Sequence, residues 1–143
     1  MTLVPGDPLA HRALESLLRA ESCVRRRLSA DLEREGLSAT GFSLLVLLTT
    51  AGGELELRVL RARLRTSKAN ATEVVTTLEQ RGLVGRRRLL SDRRAAAVAI
   101  TSSGSEVVDR LFPEHSERVA QAFAVLDEEE KRSLTSICRK LAA

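Results

Sequence analysis

The spacing of apolar residues divides the chain into six helical stretches and one extended pair. Leu14, Leu17, Leu18, Leu28 and Leu32 recur at helical spacing within Leu9–Glu35, with Cys23 and Val24 between them. They predict a long first helix that ends at Gly36, a residue suited to a left-handed C-terminal position. Ser38 is a natural N-cap for the next helix, Ala39–Ala51. Its run Phe42–Leu48 is apolar nearly all round, which predicts a buried, central helix closed by Gly52-Gly53. Leu55-Glu56-Leu57 fits a short strand. Leu57, Leu60 and Leu64 then form one stripe on a short helix, Arg58–Leu64, whose other positions hold Arg58, Arg61 and Arg63.

Thr66-Ser67 offers a turn and an N-cap for a helix over Lys68–Arg81. Its apolar face is Ala71, Val74, Val75 and Leu78, at i, i+3, i+4 and i+7. Small or polar residues occupy the outer face: Ala69, Thr72, Glu73, Thr76, Thr77 and Gln80. Gly82–Thr101 reads as two short strands joined by a basic, exposed turn. Thr101-Ser102-Ser103 caps a helix that runs to about residue 125, with Pro113 expected to kink it. Asp127 caps the last helix, Glu128–Leu141, whose stripe is Leu134, Ile137, Cys138 and Leu141. Glu128, Glu129 and Glu130 in its first turn and Arg139 and Lys140 in its last complement the helix dipole.

Two helices joined by a tight turn, the second uncrowded outside, predict a helix-turn-helix. Followed directly by a basic hairpin, they predict a winged helix. The fold class is mainly α with a small β-hairpin wing (α+β), in one domain spanning 1–143. Residues 38–101 form the winged lobe, and 9–36 and 103–143 are helices long enough to pair two copies across a two-fold axis.

Charge sharpens this outline. The net charge is +4, yet Arg58–Arg94 alone holds eleven Lys or Arg against Glu73, Glu79 and Asp92, while the remainder is net acidic. Positive charge concentrated in one quarter of the chain points to phosphate, with a plainly solvated basic surface as the competing account. Phe42, Phe112 and Phe123 are the only aromatic residues. The core must therefore be aliphatic, and base-stacking platforms of the single-strand and RNA-binding kind are not expected.

Other chemistries find little support. Cys23 and Cys138 are far apart without a CxxC pattern, and His11 and His115 are the only histidines, so no metal or other cofactor is expected. There is no glycine-rich phosphate loop, nucleophile motif or histidine–carboxylate cluster, which argues against an enzyme. No window approaches a membrane span and the N-terminus lacks a signal-peptide pattern, so a cytoplasmic protein is expected.

Three segments carry a resemblance to a known family: LEQRGLV (Leu78–Val84), SDRR (Ser91–Arg94) and ITSSG (Ile100–Gly104), at spacings that need no insertion. With LSATGFSLLVLL and LDEEEKRSLTSICRKL, they extend it over nearly the whole chain. The sequence resembles the MarR family of winged-helix transcription regulators. That resemblance implies a triangular homodimer of interlocked terminal helices, whose two winged lobes face double-stranded DNA at a pseudo-palindromic operator. It implies a transcriptional repressor that a small-molecule effector releases.

By the same resemblance, Lys68–Arg81 enters the major groove. Ser67, Lys68, Ala69, Asn70, Thr72 and Thr76 fall where the family contacts bases and phosphates. Arg86, Arg87, Arg88 and Arg93 belong to the DNA-binding wing, the first three along phosphates. Arg94 inserts into the minor groove, and Asp92 braces the wing by pairing with an arginine. An effector crevice would draw on His11, Phe42, Leu45 and Phe112, for each of which ordinary core or interface packing is the competing account.

The sequence departs from the family pattern at three positions. Arg61 replaces a small alanine between the two helices, and Arg65 replaces a turn glycine. Glu73 stands where many members carry a basic residue. It could accept from a cytosine amino group, but pairing with a nearby arginine is the preferred expectation. Two other functions share the fold: an oxidant sensor acting through Cys23, for which a buried inert thiol is the expectation, and a winged-helix protein-interaction module.

Overall fold

A computed structural model describes the chain apart from Arg65, Ser91 and the side chains of Asp92, Arg93 and Arg94. The elements run α1 (Pro8–Arg34), α2 (Ala39–Thr50), β1 (Glu54–Glu56), α3 (Leu57–Leu64), α4 (Lys68–Gln80), β2 (Val84–Leu89), β3 (Asp92–Ile100), α5 (Ser102–Ala122) and α6 (Glu128–Ala142). They divide into two units, Asp31–Glu114 and Met1–Ala30 with His115–Ala143.

The first unit is the winged helix. Its centre is α2, where Leu44, Leu45 and Leu48 are inaccessible to solvent. Leu60 of α3, Val75 of α4 and Val98 of β3 close around them, equally buried. The core is aliphatic apart from Phe42. The three caps expected in this unit all form. Ser38 Oγ accepts from Gly41 N at 2.9 Å, Ser67 Oγ from Asn70 N at 3.1 Å, and Thr101 Oγ1 from Gly104 N at 3.1 Å. Each satisfies an amide that the first turn of a helix leaves unpaired.

Two details differ from the pattern-based reading. The short strand lies one residue earlier, at Glu54–Glu56: Glu54 pairs with Ala99, and Leu57 opens α3 instead of ending β1. The second strand of the hairpin is nine residues long, and its far half pairs with β1 as well. The sheet is therefore three-stranded and antiparallel, in the order β1-β3-β2. Alternation along β2 sends successive side chains to opposite faces.

The base of the hairpin is tied at several points. Leu83 and Val84 are buried. Thr101 N donates to Leu83 O at 3.0 Å and Thr101 Oγ1 to Gly82 O at 2.6 Å. Gly104 packs so closely here that a Cβ would lie 2.2 Å from Leu83 O.

The second unit contains most of α1, the end of α5, and α6. Asp127 and Glu130 form a reciprocal capping box at the start of α6, with bonds of 2.8 and 3.0 Å. Leu9, Leu14, Leu17 and Leu18 on α1 and Ile137 and Leu141 on α6 are exposed in the single chain. Helix α5 continues through Pro113, and the boundary between the units falls directly after Glu114. Among the described residues, no helix is long and apolar enough to cross a membrane.

Candidate nucleic-acid interface

Helix α4 packs Ala71, Val75 and Leu78 inward. The helical period then carries Ala69, Glu73, Thr76 and Gln80 down the opposite side. Thr72 and Glu79 flank that row on the side of the wing; Asn70, Thr77 and Arg81 flank it on the side of α2. Ser67, Lys68, Ala69, Asn70 and Thr72 are all exposed, and Thr76 is half-buried. The candidate contact residues on this helix thus share one continuous surface.

Several polar groups on that surface are already committed. Thr72 Oγ1 donates to Lys68 O at 2.8 Å, Thr76 Oγ1 to Thr72 O at 2.9 Å, and Thr77 Oγ1 to Glu73 O at 3.0 Å. Each hydroxyl proton points back along the helix, leaving oxygen lone pairs and a methyl group outward. Asn70 Nδ2 donates to Thr66 Oγ1 at 2.7 Å. That bond takes one of the two amide protons, so the second proton and Oδ1 remain for a bidentate reading of adenine.

The three consecutive arginines of β2 separate by strand alternation. Arg86 pairs in register with buried Val98 and lies on the helix-facing side. Its Nη2 donates to Thr72 O at 3.1 Å and to Thr76 Oγ1 at 2.9 Å, and its backbone N donates to Glu79 Oε2 at 3.0 Å. Arg87 lies on the other side, opposite Ala97. There Gly85, Ala97 and Ala99 leave room for its side chain to cross β3 and pair with Glu54 of β1, with Nε to Oε2 at 3.0 Å. Hydrogen bonding from Arg87 holds the Glu54 carboxyl below the usual carboxylate range, and the same bond raises Arg87. Arg88 is exposed and has no partner among the described residues.

So the run expected along phosphates divides its work. Arg86 joins the wing to the recognition helix, Arg87 braces the sheet, and Arg88 remains available. The side chains of Asp92, Arg93 and Arg94 lie outside the described residues, as does Arg65; their backbones place Asp92, Arg93 and Arg94 at the start of β3.

Two expectations are corrected. Glu73 makes no ion pair among the described residues. Arg81, at the C-cap of α4, instead donates to Gly36 O at 2.7 Å and Glu35 O at 3.0 Å, covering the carbonyls left open where α1 ends. Cys23 is exposed in the single chain, not buried, and accepts from Arg26 Nη2 at 3.6 Å; Cys138 is exposed too. Arg61 is half-buried, with a buried Nε that lacks a hydrogen-bond partner among the described residues.

The candidate effector residues do not form one lining within the winged unit. Phe42 and Leu45 are in its core. Phe112 instead borders a cleft of about 260 Å³ between α2 and α5, with Val46, Thr49, Val108, Asp109 and Pro113. His11 belongs to the other unit. Sequence reasoning missed the roles of Arg81 and Glu54. Neither belongs to a local pattern, because each depends on a partner more than thirty positions away.

Comparison with known proteins agrees with this geometry. The MarR family model matches residues 37–96, from α2 into β3. The HTH-type transcriptional regulator YwaE of Bacillus subtilis, itself uncharacterized, is 32% identical over 142 residues, covering 94% of this chain and 82% of YwaE. The MarR family regulator Sco3205 of Streptomyces coelicolor, solved in complex with DNA, superposes with a TM-score of 0.90 at 27% identity, over 99% of this chain and 90% of that one. Bordetella bronchiseptica BpsR, whose DNA binding is regulated by 6-hydroxynicotinic acid, shares the fold at 21% identity and a TM-score of 0.82, over 92% and 99% of the two chains. The chain belongs to the MarR family and is a winged helix-turn-helix DNA-binding transcriptional regulator.

Proposed function

We propose that this chain acts in the cytoplasm as a homodimeric, non-enzymatic repressor that binds a pseudo-palindromic operator and leaves it when a small molecule binds. The observation that carries the DNA-reading part is the Arg86 link, which fixes a basic wing against the outer face of α4. A helix and a wing held in one orientation suit adjacent grooves of one duplex. Ser67 and Lys68 meet backbone phosphates, while Ala69, Asn70, Thr72 and Thr76 face base edges. Arg88 takes a phosphate. Arg93 and Arg94 extend the basic wing, with Arg94 in the minor groove, where a narrow A·T-rich groove attracts arginine. Asp92 holds the wing's shape.

Pairing of two copies through the terminal helices would cover the exposed leucines of α1 and Ile137 and Leu141 of α6. The effector reading rests on the apolar cleft beside Phe112 and on the behaviour of BpsR. His11, Phe42 and Leu45 join it only as contributors to the crevice or to the packing behind it.

Titration of duplex DNA from the region upstream of the protein's own coding sequence, at several salt concentrations, tests this function. The logarithm of the binding constant should fall by about 0.9 per neutralised phosphate for each unit of log salt. Binding that ignores salt, or no binding to any duplex, rejects it.

A further inference from the structure

Glu73 is exposed in the middle of the outer row Ala69, Glu73, Thr76 and Gln80, with its carboxylate unpaired among the described residues. It borders an open groove of about 360 Å³ between the start of α2 and α4, together with Asn70, Thr77 and Arg81. The one basic side chain in that groove, Arg81, is turned to the carbonyls of Glu35 and Gly36. An exposed carboxylate facing a polyanion costs affinity wherever it meets phosphate. It can recover that cost only against a hydrogen-bond donor.

The neighbouring groups narrow what such a donor can be. Thr72 and Thr76 have turned their hydroxyl protons back to Lys68 O and Thr72 O, and the Thr76 oxygen already accepts from Arg86 Nη2. Neither threonine therefore offers an outward donor beside Glu73. In the major groove the donors are the amino groups of cytosine and adenine. Beside the adenine amino group lies the N7 acceptor, which repels a carboxylate. Beside the cytosine amino group lies a C–H edge, which does not. Guanine O6 and N7 and thymine O4 are acceptors and are rejected.

We propose that Glu73 is a specificity-determining residue that accepts a hydrogen bond from the N4 amino group of a cytosine in each operator half-site. The proposal rests on the DNA-binding function of the family. It assigns to this chain a base preference carried by an acidic residue at the centre of the recognition surface.

The test is selection of bound duplexes from a library randomised across one half-site, using the full-length wild-type protein and the Glu73→Gln and Glu73→Ala variants. Glu73 is exposed, so both substitutions leave the core untouched. Wild-type protein should favour cytosine at one position by roughly tenfold, in the range of a single base contact. Glu73→Ala should level that position alone. Glu73→Gln should move its preference to adenine, whose N6 and N7 a carboxamide can engage together. If both variants bind every duplex more tightly by one common factor with the wild-type base preferences intact, Glu73 only repels phosphate and the proposal fails. Failure of the wild-type protein to retain any duplex would remove the DNA-reading function itself, a result distinct from unchanged preferences in the variants.

Discussion

Arg86 of the wing holds the Thr76 hydroxyl of the recognition helix at 2.9 Å, and the same guanidinium nitrogen reaches Thr72 O at 3.1 Å. The wing and the helix are thereby fixed to each other before any nucleic acid arrives. A guanidinium can satisfy both acceptors from a rigid plane, whereas an ammonium on a flexible stem cannot hold that geometry.

Arg86→Lys should therefore keep the charge and lose the alignment. Affinity for random duplex should stay near wild type, while affinity for the operator falls roughly fivefold, the equivalent of one net hydrogen bond of about 1 kcal/mol. Parallel titrations of the two duplexes check this. Equal losses on both would show that Arg86 serves as a charge and not as a link.

The neighbouring arginines should separate by salt dependence. Arg88→Ala should make the slope of log binding constant against log salt shallower by about 0.9, the share of a single neutralised phosphate. Arg87→Ala should leave that slope unchanged, because its side chain is occupied by Glu54. A slope that drops equally in the two variants would contradict the division of the arginine run.

Gly104→Ala tests the packing at the base of the wing. The added methyl would lie 2.2 Å from Leu83 O and 2.7 Å from Ile100 Cγ1. A backbone oxygen held by Thr101 N has little freedom to move aside. Overpacking of this kind costs about 1–3 kcal/mol. Chemical denaturation should show the loss as a lower midpoint with an unchanged slope.

His115 gives the second unit a pH response. Burial lowers its pKa below the ordinary value of about 6.5. The unfolded chain then takes up a proton more readily than the folded one. Its contribution to stability is fully present above about pH 6.5 and is lost as pH falls through the depressed folded value. The melting temperature should therefore drop more between pH 7.5 and 5.5 for wild type than for His115→Gln. Parallel curves would show that His115 protonates with equal ease in both states.

Much of the fold is legible from local pattern. Ser38, Ser67, Thr101 and Asp127 mark four helix starts, because a cap is a contact between residues three apart. The run Phe42–Leu48 announces the central helix because no face of it could be left to water. The stripe Ala71, Val75 and Leu78 orients α4 and so identifies its outer surface. What stays hidden depends on distant partners. Nothing near Glu54 marks it as the partner of Arg87, and nothing near Arg81 marks its reach to the end of α1. The solvent exposure of Cys23 and the free carboxylate of Glu73 are likewise decided by which neighbours fold back toward them.

Three identical residues in a row contain no information about alignment. If β2 slid so that Arg87 stood opposite Val98, an arginine would still face α4 and another would still cross toward β1. The reading frame of the wing must come from elsewhere. It is written at the root of the hairpin, where Leu83 and Val84 are buried and Thr101 clamps the carbonyls of Gly82 and Leu83. Chain length variation at the tip can change reach without changing which arginine does which task. One residue inserted just before Gly85 would put Gly85 opposite Val98, where the link to α4 forms, and hand the task of Arg87 to Arg86.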